Sequence, residues 1–213
     1  MGMATSMSMT ISPYEQEVHD LGQVATLLYE TDPAVSRILF GKSKADAVEK
    51  ISRLILTGGN DYGKETLYVY ALHGVARGVL VAFDAKERAA MDDSAAFMRV
   101  SRWGDKLRLA TLGRALEGML TKEIPSDCLY ISNVCVDPVV RGQGIGTALI
   151  EYAAGLAYEH GCSRLLLDVS GSNTRAARLY ERLGFTRYTT RRSLLLFGAQ
   201  VHGMEKRLAP SGL

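Results

Sequence analysis

The chain has 213 residues, of which 47% are hydrophobic and 23% charged, a balance typical of a globular protein with an ample core. This composition excludes disordered, collagen-like and coiled-coil chains. The 25 Lys and Arg against 23 Asp and Glu give a formal net charge of +2, which is too small to indicate a nucleic-acid partner.

The first half of the chain predicts two helices followed by a β-hairpin. Apolar residues recur at helical spacing over Tyr14–Glu30, behind a predicted cap at Ser12, and again over Lys44–Thr57. The β-rich segments Leu67–Leu72 and Val75–Phe83 flank a short turn that contains glycine, which favours two antiparallel strands.

Residues 84–127 change to a helical pattern rich in basic side chains, and we interpret them as a helical insertion. Arg99, Arg102 and Arg108 in this segment favour an acidic acceptor only weakly, because a solvated helix face is the more frequent reason for such a pattern.

The last third predicts a strand-helix-strand unit. The strand Leu129–Val136 is followed by a helix from about Gly144 to His160 and a second strand at Arg164–Val169, so the two strands should be parallel. A further helix is capped by Asn173, and two more strands complete the chain: Phe185–Arg191 and Leu194–Lys206. Hairpins together with a parallel pair predict a mixed sheet.

A glycine-rich segment opens the helix of this unit. It consists of Arg141, Gly142, Gln143, Gly144, Ile145, Gly146 and Thr147. Glycines let backbone N–H groups point into a concave turn, and a helix N-terminus adds about half a positive charge. Together with the arginine, the segment predicts a site for phosphate or pyrophosphate.

Two common nucleotide-binding loops fit this segment poorly. A Walker loop needs a lysine after its last glycine, and none follows here. A dinucleotide fingerprint needs Gly-x-Gly-x-x-Gly, whereas Gly142, Gly144 and Gly146 are evenly spaced, although Asp168 lies about twenty residues further on.

Two motifs carry a family resemblance. The first is Val134-Cys135-Val136-Asp137-Pro138 with the glycine-rich segment, and the second is Asn173–Phe185. Together they resemble the acetyl-CoA signature and the next motif of the GNAT superfamily of N-acetyltransferases. The resemblance is strong over Leu129–Phe185, weaker over Leu67–Phe83 and absent from residues 84–127.

The resemblance implies an α/β (α+β) fold in a single domain, residues 1–213, with a mixed, largely antiparallel sheet of six or seven strands flanked by helices. The sheet should be splayed at its parallel strand pair, with acetyl-CoA as the acyl donor in the opening and a CoA-binding core at about 129–185. By resemblance, the backbone of Val134, Cys135 and Val136 would bind the pantetheine arm, and residues Arg141 to Thr147 would bind the pyrophosphate. No metal is implied.

Attack of an amine on a thioester releases a thiolate that needs a proton. Tyr180 is the candidate acid, because a phenol with a reference pKa near 10 is protonated at neutral pH. Asn173 lies two helical turns before Tyr180, on the same helix face, and both residues are candidates for cofactor binding. A helix N-cap for Asn173 and a core aromatic for Tyr180 are the structural alternatives.

The general base is left open by the sequence. Several members of the family carry a glutamate on the strand before the glycine loop, whereas this chain has Tyr130-Ile131-Ser132-Asn133 there. The candidates are Asp127, a water relayed by Ser132 or Tyr130, and a residue of the insertion or N-terminal helices. An acceptor whose amine has a low pKa would need no base. Cys135 suggests an acyl-cysteine intermediate, but a buried thiol is the safer interpretation.

No membrane or metal partner is expected. The three cysteines are well separated and lack nearby histidines, which is typical of reduced thiols and predicts a cytoplasmic protein. The longest apolar runs are far shorter than the roughly 20 residues of a membrane helix.

We therefore predict an N-acetyltransferase that transfers the acetyl group of acetyl-CoA directly to an amine of a small molecule, peptide or protein. A non-catalytic acyl-CoA-binding or sensing module is the alternative, and nicotinamide dinucleotide binding is a remote third. The acceptor itself is not predicted. The resemblance is also compatible with a homodimer formed through the late strands.

Overall fold

The protein contains a seven-stranded sheet with the strand order β1-β2-β3-β4-β5-β7-β6. The computed structural model describes residues 9–41, 43–102, 104–105, 123–193 and 198–209. Neighbouring strands are antiparallel except for the parallel pair β4–β5. The strands are β1 Met9–Pro13, β2 Leu67–Leu72, β3 Val75–Asp84, β4 Cys128–Val136, β5 Arg164–Ser170, β6 Thr186–Ser193 and β7 Ala199–Arg207.

Helices flank this sheet. They are α1 Leu21–Thr31, α2 Pro33–Phe40, α3 Lys44–Thr57, α4 Ala85–Ala90, α5 Asp93–Val100, α6 Ile145–Glu159 and α7 Thr174–Arg182, with short 3₁₀ turns at Lys64–Thr66 and Pro138–Val140. Within the described ranges, no helix is both long and apolar enough to span a bilayer.

The local patterns of the sequence are confirmed where they depend on short-range periodicity. The helix α3, the β2–β3 hairpin and the β4-α6-β5 unit lie within two residues of their predicted positions. The mixed, mostly antiparallel sheet is confirmed as well, and its strand order brings the predicted parallel pair to the middle.

The prediction of a helix from Tyr14 with a cap at Ser12 is wrong. Helix α1 begins at Leu21, where the Asp20 side chain accepts the N–H of Gln23 at 2.7 Å. Ser12 lies in β1 and pairs with Val69, a contact between distant parts of the chain that helical periodicity does not detect.

Helix α2 was not predicted, although its start carries a recognisable signal. Asp32 Oδ1 accepts the N–H groups of Ala34 and Val35, each at 3.0 Å, and Pro33 occupies the first helical position. Proline there has no N–H to leave unsatisfied and a dihedral already suited to the helix.

The segment interpreted as an insertion begins with helices, in agreement with its predicted helical pattern. Asp84 and Glu87 form a reciprocal capping box at the start of α4, and α5 follows at once. The remainder of the predicted helical stretch, residues 106–122, lies outside the described residues, as does residue 103.

Two apolar cores lie on opposite faces of the sheet. The alternation of β3 shows the division, since Val79, Val81 and Phe83 contribute to one core and Leu80 and Ala82 to the other. The first core is completed by α1, α3 and α5, and the second by α6 and α7. The sheet is therefore a central layer covered by helices on both sides.

The parallel pair separates partway along its length. Strands β4 and β5 pair only from Cys128 with Arg164 to Ile131 with Leu167. Beyond that point β4 continues along β3 as far as Val136, while β5 continues along β7. The predicted splay is thus confirmed, and it leaves an opening between the two strand ends.

Truncation of Leu149 should destabilise the layer that supports this opening. Leu149 in α6 is fully buried at 0% exposure and lies against Gly78 of β3, where an added Cβ would come within 3.1 Å of it. We expect Leu149→Ala to lower the free energy of unfolding by about 2–5 kcal/mol, through lost burial and the cavity that it leaves.

Urea denaturation measures this change, and Val139→Ala is the control. Val139 is 79% exposed, so its truncation should change stability by no more than about 0.5 kcal/mol. Equal effects of the two variants would contradict the assignment of Leu149 to the core.

Candidate active site

The glycine loop between β4 and α6 requires glycine for its backbone conformation. Gly142 and Gly144 have φ angles of +84° and +83°, in the left-handed region that side chains with a Cβ rarely adopt. A Cβ at either position would meet nothing within 4 Å, so lack of space is not the reason. Gly146 differs, because its Cβ would lie 3.1 Å from Leu179 of α7.

The loop offers a row of backbone donors. Helix α6 begins with the N–H of Ala148 bonding to the carbonyl of Gly144 at 3.0 Å. The N–H groups from Gly142 to Thr147, which include those of Gln143 and Ile145, donate to no protein acceptor within the described part of the chain. The open surface above both loop glycines and these donors fit a pyrophosphate.

Arg141 contributes the positive charge of this loop. Its Nε donates to the carbonyl of Val136 at 2.9 Å, and its side chain is exposed. The contact ties the guanidinium to the end of β4 and keeps it beside the loop, where it adds to the field of the helix N-terminus.

The end of β4 presents one backbone edge to the opening. Val134, Cys135 and Val136 pair with β3 on one side, and on the other side β5 has already diverged. The N–H and C=O groups of the divergent edge point where an extended ligand could add as a further strand. This is the arrangement predicted for the pantetheine arm.

Tyr180 lies under the same opening. It is 8% exposed and packs against Phe185, with ring centroids 5.7 Å apart. Burial and the nearby Cys135 thiol raise the pKa of Tyr180 to about 12, so the phenol is protonated at neutral pH. Burial also raises the pKa of Cys135 to about 11, which favours the buried-thiol interpretation over a nucleophile.

Asn173 acts as the N-cap of α7. Its Oδ1 accepts the N–H of Ala176 at 3.1 Å, and the residue is exposed. The structural alternative considered from the sequence is therefore present, and a contact of Asn173 with the cofactor stays a prediction.

A polar cluster surrounds the point where the strands separate. The Tyr130 hydroxyl donates to Asp168 Oδ2 at 3.1 Å, and Arg191 donates to both oxygens of Asp168 at 3.0 and 2.7 Å. Ser132 Oγ lies 3.3 Å from Asp61 Oδ2. Burial, Asp168 and Asp61 raise the pKa of Tyr130 well above its usual value.

The sequence did not identify Asp61 or Arg191 as site residues. Asp61 is 71 positions from Ser132, and Arg191 is 23 positions from Asp168. No local motif marks either residue, so only the folded chain reveals the two contacts.

Asp127 lies at the wrong end of β4 to serve as a base. It precedes the first residue of the strand and accepts from Arg164 at 2.8 and 2.9 Å. These hydrogen bonds lower the pKa of Asp127, and the pair lies at the start of β4 and β5, at the opposite end of β4 from the glycine loop.

Asp84, Glu87 and His160 also bring three potential metal-ligand atoms within 4.8 Å of one another, at the far end of β3 and α6. His160 Nδ1 lies 3.0 Å from Asp84 Oδ2. Both carboxylates already accept backbone N–H groups of the α4 capping box. The cluster is explained by helix capping and the contact between His160 and Asp84.

The stability of a Gly144→Ala protein tests whether the loop needs a residue that adopts the left-handed conformation, as distinct from the ordinary preference of helices for alanine over glycine. We expect Gly144→Ala to destabilise the protein by about 1–2 kcal/mol, because alanine is strained in the left-handed conformation. Gly155, which is exposed in the same helix and has open space around its Cα, is the matched control.

Gly155→Ala should be neutral or stabilise by up to about 1 kcal/mol, since alanine favours a helix interior. Thermal and urea unfolding of both variants provide the comparison. A Gly144→Ala protein as stable as the Gly155→Ala protein would contradict the role of Gly144.

Asp137 should make the stability of the turn before the loop dependent on pH. The N–H of Val139 and the guanidinium of Arg77 lower the pKa of Asp137. A lowered folded-state pKa stabilises the protein above the unfolded-state value of about 3.9, and this contribution is lost as pH falls through the folded-state value.

We therefore expect parent protein to be more stable than Asp137→Asn near neutral pH, and the difference to shrink as pH falls below about 4. Urea denaturation across pH 3–7 tests this. A difference that does not change with pH would show that the charge of Asp137 is unimportant.

Comparison with known proteins identifies the family of this chain. The family described as "Acetyltransferase (GNAT) family" matches residues 64–185. Mycothiol acetyltransferase of Salinispora tropica is 53% identical over 57 residues, which are 25% of this chain and 18% of that protein.

Two further relatives are similar over segments of comparable length. Thialysine N-epsilon-acetyltransferase of Bos taurus is 45% identical over 56 residues, 26% of this chain and 33% of that protein. [Ribosomal protein bS18]-alanine N-acetyltransferase of Escherichia coli K12 is 43% identical over 71 residues, 33% of this chain and 48% of that protein. The matches span less than half the length of each curated relative.

Solved structures share the fold over nearly the whole chain. An N-acetyltransferase from Staphylococcus aureus Mu50 has a TM-score of 0.71 at 16% identity, covering 92% of this chain and 99% of that one. A GNAT family acetyltransferase from Elizabethkingia anophelis with acetyl-CoA bound has a TM-score of 0.56 at 16% identity, covering 94% and 98%. With its family match, its splayed sheet and its glycine loop, this chain belongs to the GNAT acetyltransferase family.

Proposed function

We propose that this protein is an N-acetyltransferase that transfers the acetyl group of acetyl-CoA directly to an amine. The observation that carries the proposal is the opening between β4 and β5, which lies beside a loop of backbone donors and above a buried tyrosine. An extended strand edge, an anion cradle and a protonated acid thus occupy one end of the sheet.

The chain's own groups account for binding of the donor. Residues 141–147 would hold the pyrophosphate through backbone N–H groups and Arg141, because anions are stabilised at a helix N-terminus. The divergent edge of Val134–Val136 would hydrogen-bond the pantetheine arm. The same edge would also orient the thioester and supply N–H donors to the oxyanion formed on attack.

Tyr180 would stabilise the leaving sulfur. With its pKa raised to about 12, it is a weaker acid than a thiol, whose reference pKa is about 8.5. Transfer of the Tyr180 proton to the CoA thiolate is therefore unfavourable in free energy by itself. It becomes favourable if the attacking nitrogen loses a proton in the same step. Tyr180 would donate a hydrogen bond to the sulfur as negative charge develops there. It would then give its proton to the sulfur while the nitrogen loses one.

The acceptor is an amine of a small molecule, peptide or protein. The relatives' names refer both to an N-epsilon amine and to an alanine amine of a ribosomal protein, so side-chain and α-amines are both candidates here. A cytoplasmic location and a homodimer through the late strands stay predictions. Among the described elements, β6 is the edge strand on that side of the sheet.

A non-catalytic acyl-CoA-binding module is the second candidate. The observation that favours it is that β4 carries no carboxylate between Tyr130 and Val136. Both candidates predict acetyl-CoA binding, and only the enzyme predicts release of CoA thiol.

Calorimetric titration with acetyl-CoA tests the shared requirement, with NAD and longer acyl-CoAs titrated alongside. We expect selective binding of acetyl-CoA with micromolar affinity. Absence of CoA binding would overturn the enzyme and the binding module together, and binding of NAD instead would indicate a dinucleotide site.

Replacement of Tyr180 tests the chemical step. We expect Tyr180→Phe to bind acetyl-CoA within about twofold of the parent protein and to lower kcat by about 100-fold, the usual contribution of a positioned acid. Thiol release with an amine panel gives the rate, and calorimetry gives the affinity.

Tyr158→Phe is the control for this replacement. The Tyr158 hydroxyl donates to the carbonyl of Ala209 at 2.9 Å on the exposed face of α6, so its loss should leave turnover unchanged. A Tyr180→Phe protein with the parent's kcat would remove Tyr180 from the mechanism.

A further inference from the structure

We infer that Asp61, acting through the hydroxyl of Ser132, accepts the proton that the acceptor amine must lose before it attacks the thioester. The inference rests on the proposed acetyl transfer and identifies the base that the sequence left open. It begins from the placement of Ser132 at the point where the sheet opens.

Ser132 is the bulged residue of β4. Ala82 pairs with Ile131 and Val81 with Asn133, so β4 has one extra residue between two consecutive pairs with β3. Ile131 is also the last residue of β4 that pairs with β5. The bulge therefore lies at the apex of the splay, where it changes the direction of the strand and brings Ser132 next to the opening.

Asp61 reaches this apex from the loop before β2. Its Oδ2 lies 3.3 Å from Ser132 Oγ, and its charge also acts on the neighbouring Tyr130. Ser132 Oγ lies 3.0 Å from Asn133 Oδ1 as well, so the hydroxyl can donate to either oxygen. A hydroxyl that can give its proton to a carboxylate can accept another from an amine in the same movement.

The loop holds Asp61 in place from both sides. The buried Asn60 side chain donates to the carbonyls of Leu54 and Gly58 at 3.0 and 2.9 Å and accepts the N–H of Tyr62 at 2.9 Å. The N–H of Asp61 itself donates to Asp93 Oδ1 at 2.7 Å. Asp93, which is 4% exposed, is paired with Arg88. This scaffold fixes the Asp61 backbone without engaging Ser132.

Asp61 is chosen over other carboxylates because it lies 3.3 Å from Ser132 Oγ. Glu30, whose charge acts on Cys135, pairs with Lys44. Asp168 accepts hydrogen bonds from Arg191 and from the Tyr130 hydroxyl on the β5 side of the opening. Asp127 is held by Arg164 at the opposite end of β4. Among the described residues, the ionisable groups that interact with Asp61 or share a neighbour with it are Asp32, Tyr62, Arg88, Asp93, Tyr130, Asp168 and Arg191.

The proton balance follows from this placement. A protonated amine gives one proton to Ser132 Oγ while the Ser132 proton moves to Asp61, which later releases it to solvent. The neutral nitrogen forms the C–N bond, the C–S bond breaks, and the second proton lost by nitrogen replaces the one that Tyr180 gives to sulfur. The products are the amide, CoA thiol and one proton.

Two acceptor probes distinguish a base from a structural residue. One is a tripeptide that begins with alanine, whose α-amine has a pKa of about 7.7–8.0, and the other is Nα-acetyl-lysine amide, whose ε-amine has a pKa of about 10.4. Without a base, the enzyme depends on amine that is already neutral in solution. The loss of kcat/KM in a variant without the base should therefore disappear as the pH approaches the pKa of the probe's amine.

We expect Asp61→Asn to lower kcat/KM for the lysine probe by about 100-fold at pH 7.5, within the range for loss of a general base. For each probe, kcat/KM of the variant should rise with pH and approach the parent value near the pKa of that amine. Ser132→Ala should show the same pattern with a smaller loss. Acetyl-CoA affinity should stay within about twofold of the parent in both variants.

Asp20→Asn is the matched control, because Asp20 caps α1 on the surface and asparagine caps equally well. It should have the parent's pH profile. Thermal unfolding of all variants checks that they are folded, and a structural role for Asp61 would produce a loss that is the same at every pH and for both amines.

The outcomes separate the two proposals. Failure of the parent protein to bind acetyl-CoA would overturn the proposed function. Transfer by the parent together with an Asp61→Asn profile that matches it, or that lies below it by a constant factor, would overturn only the inference about Asp61. Binding of acetyl-CoA without transfer to either probe would also overturn that inference, while leaving the cofactor site intact.

Discussion

The candidate site depends on a single constraint, which is that β4 and β5 stop pairing after Ile131 and Leu167. A parallel ladder that continued would satisfy both edges with each other and leave no room between them. Each strand instead keeps one antiparallel neighbour, β3 for β4 and β7 for β5, so the sheet remains intact on both sides of the opening. The backbone N–H and C=O groups of β4 and β5 that no longer pair with each other are the groups that an extended ligand can bind.

Packing of α6 and α7 on one face of the sheet fixes the position of the glycine loop relative to this opening. Helix α6 buries Leu149 against β3 and begins directly after the left-handed residue Gly144. The close approach of α7 at Gly146 then brings Tyr180 beneath the end of β4. Burial both positions this phenol and raises its pKa, so its protonation and its orientation have the same physical origin.

The charged side chains near the point where β4 and β5 separate lie on the opposite face of the sheet. Asp61 and Asp168 approach the apex from different elements, and Arg191 compensates the second of these carboxylates. The bulge at Ser132 directly follows the last residue of β4 that pairs with β5, and the Ser132 hydroxyl contacts Asp61. The group that would protonate the leaving sulfur, Tyr180, and the group that would accept the amine proton, Asp61, would therefore approach the Ser132 bulge from opposite faces of the sheet.

The sequence by itself determined the elements whose signals are local. Helical periodicity identified α3, and glycine spacing predicted an anion-binding loop. Hairpins together with a parallel pair predicted a mixed sheet, and the family resemblance implied that it is splayed. Tertiary structure alone decided what depends on distant partners. Strand β1 and the true start of α1 follow from pairing with β2, and Asp61 reaches Ser132 across 71 positions. Dihedral preferences and periodicity act over a few residues, whereas strand register, burial and ion pairing are set by segments that meet only when the chain folds.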